Sequence, residues 1–136
     1  MKRLNPYLRF NGTCRQAMEF YKSCLGGNLN LMTMGDSPMG AQSPPAEKNK
    51  VMHSALEADG MVIMASDMMG AEKPVTGNLI TLCINGNDKQ AIEGYFAKLS
   101  AGGQVTAPLK EEFFGSYGEL VDKFGVLWMF QIDKAS

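Results

Sequence analysis

The chain of 136 residues has one histidine, one tryptophan and three cysteines. So little histidine and cysteine gives none of the spacings that hold zinc, and no Ser/His/Asp arrangement is visible. Cys14, Cys24 and Cys83 form no CxxC pair, and an odd set at such intervals reads as reduced thiols of a cytoplasmic protein. Charge of one sign is also missing: 13 Lys and Arg balance 14 Asp and Glu, for a net −1. That excludes the basic stripe of a nucleic-acid groove. No apolar run approaches the length of a membrane span. The opening MKRLNPYLRF has two positive charges but no apolar core of a secretion signal. What remains is an ordinary globular composition, with 45% hydrophobic residues and eleven methionines suited to irregular apolar gaps. The length fits one domain, 1–136.

What the chain does have is an echo. FNGTCRQAMEFYKSCL at 10–25 returns as INGNDKQAIEGYFAKL at 84–99, with seven identities in sixteen positions. Chance gives about one match in sixteen. Each copy follows a strand-like stretch and carries apolar residues at helical steps, such as Ala17, Met18, Tyr21 and Leu25. Thr13 is placed to cap the first helix, and Gly26-Gly27 and Gly102-Gly103 stop the two. Leu4, Pro6, Leu8 and Phe10 alternate with polar neighbours and predict a first strand that packs on the first helix. Leu79 to Ile84 predicts its counterpart. Further strands are expected at 29–34, around Asp59-Gly60 as a hairpin, near 104–108, at 118–122 and at 126–132. DSPMGAQSPPAEKNK, residues 36–50, carries three prolines and reads as a long loop. GVLWM near the end matches GMVIM of the first half at an offset of 65.

Each half therefore reads β-α-β-β-β, the first over 3–69 and the second over 77–133. The fold class is α+β. One helix covers one face of such a sheet, and pairing two copies would cover more and leave a cleft.

LNPYLRFNGTCRQAMEFYKSCLGG, MHSAL, IMASDMM and VDKFGVLWM together resemble the PhnB-like branch of the vicinal oxygen chelate superfamily, the group of glyoxalase, bleomycin-resistance and extradiol dioxygenase proteins. The resemblance spans essentially the whole chain. It implies tandem βαβββ modules forming a U-shaped mixed sheet around a small-molecule site, usually in a homodimer. In metal-dependent members four His or Glu side chains from four strands hold the metal. The matching positions here are Asn5, Met64, Leu79 (to within a residue) and Met129. Asn, Met, Leu and Met do not hold a divalent metal, so no metal and no cofactor are expected. The branch is often described as demethylubiquinone methyltransferases, but no Gly-rich loop follows a strand to cradle S-adenosylmethionine.

Strand parity turns Tyr7 and Arg9 away from the helix, and Thr81 and Cys83 likewise. A two-residue turn at Asp59-Gly60 pairs Ala58 with Met61, Ala55 with Met64 and His53 with Ser66. Through Met64, His53, Glu57 and Ser66 join that face. The expected ligand-binding wall is Tyr7, Arg9, Glu57, Met64, Ser66, Thr81, Leu127, Met129 and Gln131, with His53 as the candidate catalytic residue. Arg9 suits a carboxylate or phosphate; its other reading is a strand-end arginine paired with Glu. His53 carries the one side chain type whose ordinary pKa lies near neutrality; its other reading is structural. Asp67, of opposite parity, is expected to cap a loop, and Trp128 to sit in the core. Phe113, Phe114 and Tyr117 form an aromatic loop over 113–118, to which no role is assigned.

These features give two expectations. One is a metal-free binding module that sequesters or senses a small molecule. The other is a metal-free enzyme with His53 as general base; a metal-dependent lyase or dioxygenase is a distant third. Either way the expected partners are a small-molecule ligand and a second copy of the chain, with no nucleic acid and no membrane.

Overall fold

A computed structural model describes residues 1–70 and 72–134. The chain forms two compact units, 1–75 and 76–136. Each is a βαβββ module, so the fold is α+β and tandem. The first runs β1 (Tyr7–Phe10), α1 (Cys14–Leu25), β2 (Asn28–Thr33), β3 (Val51–Ala58) and β4 (Met61–Asp67). The second runs β5 (Leu82–Gly86), α2 (Lys89–Leu99), β6 (Gln104–Glu112), β7 (Gly115–Val121) and β8 (Leu127–Asp133). The sheet orders are β1-β4-β3-β2 and β5-β8-β7-β6. In each, the first and last strands of the module pair in parallel and the rest are antiparallel. Among the described residues no helix is long and apolar enough to cross a membrane.

The period-two pattern decides which face α1 covers. Phe10, Leu56, Ile63 and Ala65 point to one side of the first sheet and are buried there with Ala17, Met18 and Tyr21 of the helix. In the second module Ile84, Leu120, Trp128 and Phe130 meet Ile92 and Leu99 of α2. Phe96 packs edge-on against Phe130, with ring centroids 5.1 Å apart. The opposite face of each sheet carries no helix of its own module.

Two aspartates hold the strand ends. Asp67 is buried, and its Oδ1 accepts the backbone N–H of Gly12 at 2.7 Å and of Cys14 at 3.0 Å, while Oδ2 accepts that of Val51 at 2.8 Å. It caps α1 from a neighbouring strand, and Thr13, expected as the cap, makes no side-chain capping bond. Asp122 accepts the N–H of Phe124 and Val126, and the Trp128 indole N–H at 2.8 Å. The expected places of Asp67 and Trp128 hold. Gly27 is needed where α1 turns into β2: its φ is +87°, and a Cβ there would lie 2.1 Å from the Glu57 carbonyl oxygen.

Several strand ends differ from expectation. β1 begins at Tyr7, and Leu4, expected against α1, is 99% exposed. β5 begins at Leu82 rather than Leu79; Leu79 is 95% exposed and Ile80 also lies in the open. The ladder explains this. β8 starts at Leu127 and Leu82 already pairs with Trp128, so residues before Thr81 have no partner on β8. β6 continues to Glu112, past the expected end near 108. The expected 113–118 loop is instead a two-residue turn, Phe113-Phe114, because Glu112 pairs with Gly115 and Tyr117 is already inside β7. Two short 3-10 turns, Gly40–Gln42 and Pro45–Glu47, interrupt the 36–50 loop.

Candidate functional site

The ladders bring the site residues of the first module into two rows on its helix-free face. Tyr7 pairs with Met64, Met64 with Ala55 and Ala55 with Asn30. Next to it, Arg9 pairs with Ser66 and His53 with Met32. Ser54 pairs with Ala65, so the following positions on the two strands set His53 beside Ser66. Arg9, Ser66, His53 and Met32 thus form a row across all four strands. Glu57 lies one step beyond Ala55 toward the hairpin, opposite Val62, and so two steps from His53 on the same face. The two-residue turn at Asp59-Gly60, with positive φ at both residues, sets this register.

Tyr7, Arg9, His53 and Glu57 are exposed, and Met64 and Ser66 half-buried. The Tyr7 and His53 rings lie 6.1 Å apart, centroid to centroid, tilted by 32°. Among the described residues neither Arg9 nor His53 has an ion pair, so the Arg9–Glu pairing considered from the sequence is not formed there. A groove of about 340 Å³ runs over the C-terminal ends of β1 and β4, lined by Tyr7, Arg9, Ser66, Met68, Met69 and Glu72 above the buried Asp67. Met68, Met69 and Glu72 were not expected there. They follow β4 in the chain, and the sequence signal for them is only their nearness to Asp67.

The other four wall residues belong to the second module. Leu127, Met129 and Gln131 alternate along β8 on its helix-free face, and Thr81 immediately precedes β5. Cys83 pairs with Met129 and Met129 with Glu119; Gln131 pairs with Tyr117. Burial, and then the Glu119 carboxylate beside it, push the Tyr117 phenol above its usual range. Burial also raises the Cys83 thiol. Glu119 and Tyr117 were missed as site residues; counting back from Met129 through the β7–β8 hairpin would have found them.

Asn5 sits two residues before Tyr7, and its Nδ2 lies 4.0 Å from Met64 Sδ. Tyr7 pairs with Met64 as Cys83 pairs with Met129, so the ladder makes Thr81, not Leu79, the counterpart of Asn5. Asn5 and Met64 of the first module offer an amide and a thioether, and Thr81 and Met129 of the second a hydroxyl and a thioether; none is the anionic or imidazole donor that holds a hard or borderline divalent metal. The donor set does not fit the metal of the wider superfamily.

Residues 2–132 match the family described as 3-demethylubiquinone-9 3-methyltransferase. The chain belongs to that family. Protein YjdN of Escherichia coli is 29% identical over 96% of this chain and 95% of its own. The crystal structure of protein PA1353 from Pseudomonas aeruginosa is 36% identical with a TM-score of 0.86, covering 99% of this chain and all of that one. A PhnB protein from Bacillus cereus shares the fold at 23% identity and a TM-score of 0.75, covering 96% and 99%.

The family description names a methyl transfer, which implies S-adenosylmethionine. The residues here do not fit it. A nucleotide-type cofactor is cradled by free backbone N–H groups where a strand turns into a helix. At the start of α1 the N–H groups of Gly12 and Cys14 are already taken by Asp67. At the start of α2 the Asp88 side chain takes the N–H of Ala91. Neither sheet is an all-parallel, doubly wound one.

Proposed function

We propose that this PhnB-like protein is a metal-free binding module that sequesters or senses a small molecule on the helix-free face of its first sheet. The observation that carries the reading is the row Arg9, Ser66, His53 beside Tyr7 and Met64. It combines a cation, a hydroxyl, an imidazole and an aromatic ring with a flexible thioether on a rigid sheet, the usual mixture of a small-molecule site. Glu57 lies on the same face, beyond Met64 toward the hairpin. The second module carries its own, more apolar set, Leu127, Met129 and Gln131 on the helix-free side of β8 with Thr81 just before β5. Cytoplasmic location and assembly as a homodimer belong to the same proposal. Unpaired edge strands and exposed apolar side chains such as Met32, 44% exposed, favour pairing with a second copy. Neither nucleic acid nor membrane is a partner.

A second reading has one observation in its favour. His53 is exposed beside the Tyr7 ring with no hydrogen bond to another described residue, which leaves its ring nitrogens open to a ligand. There a neutral imidazole can take a proton from bound substrate, and the protein is then a metal-free enzyme.

The test is a thermal-shift screen of small metabolites on wild type, Tyr7→Ala and Arg9→Gln. Compounds that stabilise wild type should lose their effect in both variants. If every stabilising compound acts equally on all three proteins, the site lies elsewhere. Light scattering should give about twice 14.8 kDa.

A further inference from the structure

We propose that the groove beside Arg9 takes a small zwitterion of the α-amino-acid class, its carboxylate on Arg9 and its ammonium toward Glu72. This rests on the binding reading above and names its ligand class. Arg9 and Glu72 line the same groove, yet neither is ion-paired with a described residue. Opposite charges that line one groove without pairing are matched by a ligand that carries both.

The charge balance selects against simpler ligands. Asp67 lines the floor of the groove, its oxygens occupied by three backbone N–H groups. A plain anion would meet one guanidinium and two carboxylates. A plain cation would meet the guanidinium. A zwitterion places each charge against its opposite, and the guanidinium fork suits a carboxylate. Tyr7 and Ser66 also line the groove, and Ser66 is paired with Arg9 across the β1–β4 ladder. Met68 and Met69 give an adaptable apolar wall for a side chain. The groove, about 340 Å³, is at the small end for ligand sites, which matches a small ligand.

The wall is tied down from outside. Lys50 Nζ donates to the carbonyls of Met68 at 3.0 Å and Gly70 at 3.3 Å, and pairs with Glu47 at 3.1 Å. Glu47 Oε1 accepts the Gly70 N–H. The Lys50 charge is therefore engaged with Glu47 and two carbonyls.

Three probes on one carbon skeleton test the assignment: norleucine, hexanoate, which lacks the ammonium, and pentylamine, which lacks the carboxylate. Each is titrated at millimolar concentration into isotope-labelled wild type, Arg9→Gln and Glu72→Gln, following backbone amides by NMR. Norleucine should shift the amides of Arg9, Ser66, Met68 and Glu72. The two single-charge probes should bind about tenfold more weakly, roughly one lost charge pair. Arg9→Gln should abolish norleucine binding. Glu72→Gln should weaken norleucine while leaving hexanoate no weaker. Hexanoate binding as tightly as norleucine, an unchanged norleucine affinity in Glu72→Gln, or no shift of these amides with norleucine each overturns the zwitterion. A screened ligand that needs Tyr7 and Arg9 but carries no cation would do the same and leave the binding function standing.

Discussion

Asp67, the last residue of β4, accepts the backbone N–H of Cys14, the first residue of α1, at 3.0 Å. One carboxylate thereby joins a strand, a helix start and, through Val51, the start of β3. It also fixes the Arg9 end of the site, since Phe10 pairs directly with Asp67. Asp67→Asn keeps one acceptor and turns the other atom into a donor facing an N–H. The expected loss is about 1–3 kcal/mol, the cost of a buried group left without its partner. Urea unfolding should show a lower midpoint at an unchanged slope. A midpoint equal to wild type would mean that this carboxylate is not the clasp.

Asp122 does the corresponding work in the second module, and the single tryptophan reports it. Asp122→Ala removes the carboxylate that accepts the N–H groups of Phe124 and Val126 and the indole N–H of buried Trp128. The variant should lose at least about 2 kcal/mol. Its native fluorescence should shift as the indole loses a charged partner. Unchanged emission and stability together would refute the role.

The duplication, both helices and the hairpin register were legible because each rests on local chemistry. Asp59-Gly60 allows one tight turn, and the turn carries the pairing of Ala55 with Met64 outward by counting. Strand starts were less legible, because a strand ends where its partner ends. Leu79 and Ile80 have the composition of a strand, yet β8 provides nothing opposite them. The 113–118 segment has loop composition, but β6 and β7 meet so closely that only Phe113 and Phe114 turn. On the candidate site, parity set Tyr7, Arg9, His53 and Ser66 on one sheet face, as the ladders do. It missed Met68, Met69 and Glu72, which reach the groove after the strand has ended, where period-two counting has no hold.

The first module should weaken in alkali through Cys14. This thiol is fully buried, and burial raises its pKa from 9.0 to about 11. Folded protein keeps the proton that unfolded protein releases. Stability is therefore untouched below pH 9 and falls as pH rises from 9 toward about 11. In Cys14→Ala, stability should fall less over that window than in wild type. Equal alkaline slopes in urea titrations of both would show that the thiol does not ionise on unfolding. A thiol reagent should modify exposed Cys83 in the native protein and reach Cys14 only after denaturation.

Added Zn, Ni, Mn or Fe should leave the melting temperature unchanged, and so should chelation. Asn5, Met64, Thr81 and Met129 occupy the ligand positions, and none presents a carboxylate or imidazole. A metal at a hundredfold excess over its Kd would add about 2.7 kcal/mol, which a melting curve detects. One metal per chain by elemental analysis, with a melting temperature that drops on chelation, would overturn the placement of these residues.

His53→Gln separates the binder from the enzyme. The side chain is exposed and touches only the Tyr7 ring among the aromatic groups, so glutamine should cost no more than about 1 kcal/mol of stability. If the protein sequesters its ligand, the variant should bind somewhat more weakly, because Ser66 and Arg9 remain in the row, and neither protein should convert the ligand. If His53 is a general base, turnover should fall by about 10² to 10⁴ with binding and fold retained. The comparison uses whichever compound the thermal-shift screen finds, with binding measured by calorimetry and conversion by mass spectrometry. We expect binding without conversion in both proteins. Conversion by wild type that is lost in His53→Gln would establish the enzyme instead, and conversion that survives the substitution would remove His53 from the chemistry.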